Sequence, residues 1–184
     1  MRDIILASNS PRRYELLKRH YDNIIKLPQN VEECYTSSSP SEIVMELSKK
    51  KLGNLPISHF DSVVVASDTI VWHNGVVLGK PKDYNEAYSM LSSLSGVEHE
   101  VYSGFAVAYR GKIVEGYDVA KVVFKSLTSS DIKSYIDTMS PYDKAGAYGI
   151  QDGVLVSECV GDINTVIGLP IDMVVKTIEE IENE

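Results

Sequence analysis

An α/β fold built on a mixed sheet is the class this sequence predicts, because strand-like and helix-like segments interleave along the whole chain. Residues 62–66 (Ser-Val-Val-Val-Ala) form a continuous apolar run, the pattern of a strand buried on both faces. Ser-Pro pairs at 10–11 and 39–40 mark points where helices start, since serine caps a helix and proline fits its first position. The 184 residues suit one domain covering 1–184, enough to bury roughly 70% of the unfolded surface.

Taken in order, a short apolar strand at 4–7 runs into Ser8-Asn9-Ser10-Pro11, from which a helix extends to about residue 20. Ser39 and Glu42 are spaced as a capping box for a second helix, whose stripe is Ile43, Val44 and Leu47 and which Gly53 closes. After the strand at 62–66, residues 70–72 and 76–78 read as a hairpin around His73-Asn74-Gly75. Asp83 and Glu86 cap a helix that turns Ala87, Met90, Leu91 and Leu94 inward and stops at Gly96. Two long strands follow between 101 and 124, around Arg110-Gly111. A helix near 129–137, a glycine-rich strand region and a helix from about Pro170 to the end complete the chain.

A hydrophobic content of 43% and a charged content of 24% are globular values and argue against disorder. The formal net charge of -8 argues against a general nucleic-acid scaffold, which needs a basic face, but allows an anionic small molecule where a few cations converge. No apolar stretch approaches membrane-spanning length, and the run at 4–7 is too short for a signal-peptide core, so a soluble cytoplasmic protein is expected. Cys34 and Cys159 have no CxxC partner and are expected as separate reduced thiols.

Four segments carry candidate chemistry. Arg12 and Arg13 fall in the first turn of the first helix, where the helix dipole disfavours cations. Behind Ser8 and Ser10 they form a seat for a polyanion; the alternative is that both splay into solvent. Asp68 follows the buried strand, at the carboxyl edge where α/β sheets bind ligands; it can hold a divalent ion or accept a proton, or simply cap a turn at Asp68-Thr69. Lys80 follows Gly79, which permits close backbone approach to phosphate, although neither GxxxxGK[ST] nor GxGxxG is present; the alternative is a solvated turn lysine. Gln151 ends a glycine-rich stretch from Asp143, and its amide can both donate and accept, as uracil and thymine require; the alternative is a bulged strand with a surface glutamine.

Together these segments resemble the Maf (septum formation) family of nucleotide pyrophosphatases. The shared pattern runs from Ile5-Leu6-Ala7-Ser8-Asn9-Ser10-Pro11-Arg12-Arg13 through Ala66-Ser67-Asp68-Thr69, Leu78-Gly79-Lys80-Pro81 and Leu94-Ser95-Gly96. It continues with His99, Val101, Ser103 and Gly104, then Asp143 to Gln151, Asn164 and Gly168-Leu169-Pro170, so it spans nearly the whole chain. The resemblance implies an elongated mixed sheet with flanking helices, similar to inosine triphosphate pyrophosphatases, with two lobes around a deep cleft. It implies that Ser8, Arg12, Arg13, Lys51 and Lys80 hold a triphosphate, that Asp68 is the catalytic carboxylate and that Glu33 lines the cleft. Pro-Arg-Arg at 11–13 and Tyr-Gly-Ile-Gln at 148–151 resemble the branch acting on dTTP and UTP. Glu32 and Ile163 depart from the usual Asp and aromatic residues of the family, which bears on cleft walls more than on the phosphate seat.

The expected reaction is hydrolysis of a pyrimidine nucleoside triphosphate to the monophosphate and pyrophosphate. Asp68, Lys80 and Arg13 are the expected catalytic residues; Asp68 and Glu33 are the expected ligands of Mg²⁺ or Mn²⁺. A homodimer is implied by the resemblance, with neither nucleic acid nor membrane as partner. The alternatives are the same reaction on modified or non-standard purine nucleotides, or a nucleotide-sensing regulator of cell division that does not hydrolyse.

Overall fold

The computed structural model describes residues 3–53, 55 and 61–183. It bears out the α/β class: seven strands form one mixed sheet, flanked by helices. The first strand, β1 (Ile4–Leu6), is fully buried and leads into α1 (Pro11–Lys18). Ser10 caps that helix through its hydroxyl, which accepts the Arg13 N–H at 3.4 Å, and Pro11 takes the first position, as the sequence predicts. A short strand that the pattern does not announce, β2 (Ile24–Lys26), is followed by α2 (Pro40–Lys50). The Ser39–Glu42 capping box does not form: the Ser39 side chain bonds no helix N–H, and its hydroxyl pairs with that of Ser41 at 2.9 Å. Gly53, with φ +58, terminates this region and donates its N–H to the Lys50 carbonyl at 2.8 Å.

The expected strand at 62–66 and hairpin arm at 70–72 are one strand, β3 (Val63–His73). Parallel pairing with β1 covers only Val63 to Val65, so Asp68 sits beyond the end of that pairing but inside a continuing strand. The expectation that Asp68 ends a strand, or caps a turn with Thr69, is therefore corrected. The polar triplet Ser67-Asp68-Thr69 resembles a turn in sequence; here, Ser67 and Asp68 have polar partners from distant segments that let the strand go on. The turn lies where expected, at Asn74-Gly75, both with positive φ, joining β3 to β4 (Val76–Leu78). Next come α3 (Tyr84–Leu94), whose Asp83 cap accepts the Glu86 N–H at 2.8 Å, and the long pair β5 (Glu98–Tyr109) and β6 (Lys112–Phe124) around Arg110-Gly111.

Helix α4 (Ser129–Met139) opens on a full capping box between Thr128 and Asp131. The glycine-rich segment after it is not a strand, contrary to expectation. It forms three short 3₁₀ turns at Pro141–Asp143, Ala145–Ala147 and Ile150–Asp152, because positive φ at Ser140, Gly146, Ala147 and Gly153 repeatedly reverses the backbone. Strand β7 (Val156–Val160) pairs antiparallel with β6, then α5 (Ile163–Ile167) and α6 (Ile171–Asn183) close the fold. The expected end of the last helix at Glu184 lies outside the described residues. The sheet order is β2-β1-β3-β5-β6-β7, with β4 on β3.

The chain divides into two compact units. The first comprises Met1–Asp68, Ser103–Asp118 and Gly168–Glu184; the second comprises Thr69–Tyr102 and Val119–Ile167. In the first, β1, β3 and β5 contribute Leu6, Val65 and Val107 to the core, with Leu17, Val44 and Ile178 from the helices. Gly104 lets β5 lie directly on α2, since a Cβ there would come 2.4 Å from the Val44 carbonyl oxygen. The core of the second unit gathers Leu91, Leu94, Phe124, Ile132 and Tyr135 around the buried pair His99 and Tyr148, whose side chains meet at 2.8 Å. Phe124 packs edge-on against both rings. Burial and the nearby His73 lower the His99 imidazole to about 4. Cys34 and Cys159 are free thiols, and no described helix is long and apolar enough to cross a membrane.

Candidate active site

The first unit brings Ser8, Arg13, Glu33, Lys51 and Asp68 into one connected group. Their arrangement starts at the turn from β1 to α1. The buried Ser8 hydroxyl accepts the Ser10 N–H at 3.1 Å and an Arg13 guanidinium N–H at 3.3 Å. Arg13 Nε donates to the Gly168 carbonyl at 2.8 Å, so the guanidinium is folded back rather than splayed into water. Burial lowers the Arg13 pKa; the Asp68 carboxylate opposes this, Arg12 reinforces it and Glu33 opposes it. Those influences put Arg12 in the same electrostatic neighbourhood, at the helix end where unpaired N–H groups favour an anion.

Asp68 is held from two directions. Its backbone N–H donates to the Ser48 hydroxyl at 3.0 Å, and Ser48 in turn donates to the Val44 carbonyl one helical turn earlier at 2.6 Å. Its carboxylate is ion-paired with Lys51, which also donates to Glu33 Oε1 at 3.0 Å. The Lys51 and Asp68 side chains are about one-tenth exposed (12% and 9%), whereas Glu33 is half exposed at 51%. The neighbouring Ser67 hydroxyl reaches the Gly104 and Gly168 carbonyls at 2.7 and 3.0 Å. Gly168 therefore accepts from both Ser67 and Arg13, and its φ of +124° is one that favours glycine. Ser48 and Ser67 were not legible as site residues, because their roles exist only through these tertiary bonds.

Two carboxylates that share one ammonium provide hard oxygen donors around a single cation position, a set that suits Mg²⁺ or Mn²⁺ retaining water and phosphate ligands. No cluster of three or more His, Cys, Asp or Glu side chains able to enclose a metal exists among the described residues.

Lys80 and Gln151 belong to the second unit, and both side chains are exposed. Their segments are joined to each other: the Gly146 N–H donates to the Gly79 carbonyl at 3.0 Å. Gly146 is required at this contact, since a Cβ would meet Val71 at 2.7 Å and φ is +66°. The two motifs singled out separately in the sequence thus form one backbone-linked surface.

The family model described as Maf-like protein matches residues 3–181. A dTTP/UTP pyrophosphatase of Pyrococcus furiosus is 44% identical over 182 residues, covering 97% of this chain and 95% of the relative. One from Carboxydothermus hydrogenoformans is 44% identical over 181 residues, covering 96% and 97%. A third, from Bacillus cytotoxicus, is 42% identical over 186 residues. Among solved structures, a HAM1 protein from Coxiella burnetii matches with a TM-score of 0.53 at 13% identity, covering 98% of this chain and 100% of that one, which shows likeness of fold alone.

Proposed function

The chain belongs to the Maf-like family, and we propose that it is a nucleoside triphosphate pyrophosphatase hydrolysing dTTP and UTP to the monophosphate and pyrophosphate. The observation that carries the substrate class is the agreement of relatives at 41–44% identity over nearly the full chain, all named dTTP/UTP pyrophosphatase.

In the reaction, water adds its oxygen to the α-phosphorus, its proton passes to Asp68, and the bond from the α-phosphorus to the bridging oxygen breaks to release pyrophosphate. Ser8 and the helix N-terminus bind phosphate oxygens, while Arg12, Arg13, Lys51 and Lys80 offset charge developing on the leaving group. Lys51 exchanges its bond to Asp68 for phosphate when the nucleotide arrives, which frees the carboxylate. Glu33 and Asp68 would hold Mg²⁺ or Mn²⁺, which supplies neutralisation of phosphate charge and polarisation of water. Gln151 pairs with the pyrimidine edge through its donor and acceptor. What supports these roles is the connected group around Arg13 and Asp68, the paired oxygen donors and the exposed amide. The same reading takes the enzyme as a cytoplasmic homodimer.

The test is pyrophosphate release from a panel of nucleoside triphosphates with magnesium, manganese or chelator, beside sedimentation equilibrium. Metal-dependent release from dTTP and UTP, lost in Asp68→Asn, is expected. Release from purine nucleotides alone would discard the base reading, and binding without release would turn the enzyme into a sensor.

A further inference from the structure

Gln151 is the exposed residue of the turn Ile150–Asp152, and its side chain has no hydrogen-bond partner among the described residues. The residues on either side of it, Gly149 through its backbone N–H and Asp152 through its carboxylate, are nevertheless tied to one buried hydroxyl. Tyr135 of α4, only 2% exposed, accepts the Gly149 N–H at 2.9 Å and donates to Asp152 Oδ2 at 2.5 Å. Its oxygen thus spans residues 149 and 152 and closes the turn like a clasp. The turn is drawn tight there, since a Cβ at Gly149 would lie 2.9 Å from Asp152 Oδ2. The start of the segment is tied to the same helix, with Lys144 Nζ donating to the Met139 and Ser140 carbonyls at 3.2 and 3.1 Å. Burial, and then the bond to Asp152, push the Tyr135 phenol well above its ordinary pKa, so it remains a donor throughout the working range.

We propose that Tyr135, acting through Asp152 and the Gly149 N–H, is a positioning residue for base selection: it fixes the turn so that the free amide of Gln151 meets a pyrimidine in one orientation. This rests on reading Gln151 as the amide that pairs with the base. A partner held in place favours the base it fits, while an amide on a loose turn must be ordered on binding and loses part of that preference.

The experiment compares kcat/KM for UTP and for ATP in the wild type and in Tyr135→Phe, Asp152→Ala and Gln151→Ala. Tyr135→Phe keeps the buried ring, and Asp152→Ala tests the clasp without touching the core. Each is expected to lower the UTP-to-ATP ratio by roughly tenfold, through a higher KM for UTP with kcat and the ATP value unchanged. Asp152→Asn, which keeps an acceptor for the hydroxyl, is expected to retain most of the ratio. In a Gln151→Ala background, Tyr135→Phe is expected to change the ratio no further. If Gln151→Ala lowers the ratio and neither clasp variant does, the positioning role is overturned while the base reading stands. Equal losses for UTP and ATP in the clasp variants would overturn it too, as plain structural damage. A Gln151→Ala enzyme with the wild-type ratio would overturn the base reading itself, and the positioning role with it.

Discussion

The residues around Asp68 and those around Gln151 are held by opposite means. Asp68 lies inside a buried strand, and its supports are a helix serine, the lysine that caps the end of α2 and, through Ser67, two carbonyls from other segments. Gln151 is the exposed residue of a 3₁₀ turn that one tyrosine hydroxyl gathers from below. The difference matches what each proposed role demands. Charge must be placed at one point for phosphoryl chemistry, and a strand gives that point rigidity. A base edge varies between substrates, and a turn can be retuned without disturbing the sheet.

Breaking the rigid side should have the largest effects. Asp68→Asn keeps the shape of the side chain and is expected to cost roughly 10²–10⁴-fold in kcat, with the fold intact by circular dichroism. An Asp68→Asn enzyme with wild-type turnover would remove Asp68 from the chemistry. Gly104→Ala forces a Cβ to within 2.4 Å of the Val44 carbonyl, where only backbone can give way, and is expected to cost about 3 kcal/mol in denaturant unfolding. Acid should strike the second unit through His99. Its pKa falls from 6.5 to about 4 on folding, so the unfolded chain binds more protons between those values. The stability His99 contributes is complete above about pH 6.5 and is lost as pH falls towards 4, by up to about 3 kcal/mol. A His99→Gln variant should flatten that part of the profile in thermal melts. The smallest effect is expected at Gly153, which has φ +70° but nothing within 4 Å of an added Cβ. Gly153→Ala should cost about 1 kcal/mol, all of it backbone strain. A cost there equal to that at Gly104 would mean the turns are as tightly packed as the sheet.

The same contrast explains what could be read from residues alone. Ser10-Pro11, Asn74-Gly75, Asp83 with Glu86 and Arg110-Gly111 were legible because each acts on neighbours a few residues away. That Arg12 and Arg13 stand in the first turn of α1 was legible for the same reason; the direction of the Arg13 guanidinium was not, since Gly168 sets it from 155 residues away. The passage of β3 through Ser67-Asp68-Thr69 was not, since its polar groups are satisfied across 20, 37 and 101 residues of sequence. The 3₁₀ turns from 141 to 152 were misread as strand, because glycine spacing reports close approach without saying which way the backbone turns. The failed cap at Ser39 is a local competition: Ser41 offers a second hydroxyl that no spacing rule ranks.

The bond between Arg13 and the Gly168 carbonyl also sets a schedule for synthesis. Arg13 leaves the ribosome early, yet the carbonyl that orients it is added 155 residues later. At roughly 5–20 residues per second, on the order of ten to thirty seconds separate the two. Throughout that interval the guanidinium has no fixed direction, and a nascent or interrupted chain carries the arginine without the seat it belongs to. Addition of Gly168 is thus the event that gives the Arg13 guanidinium its direction.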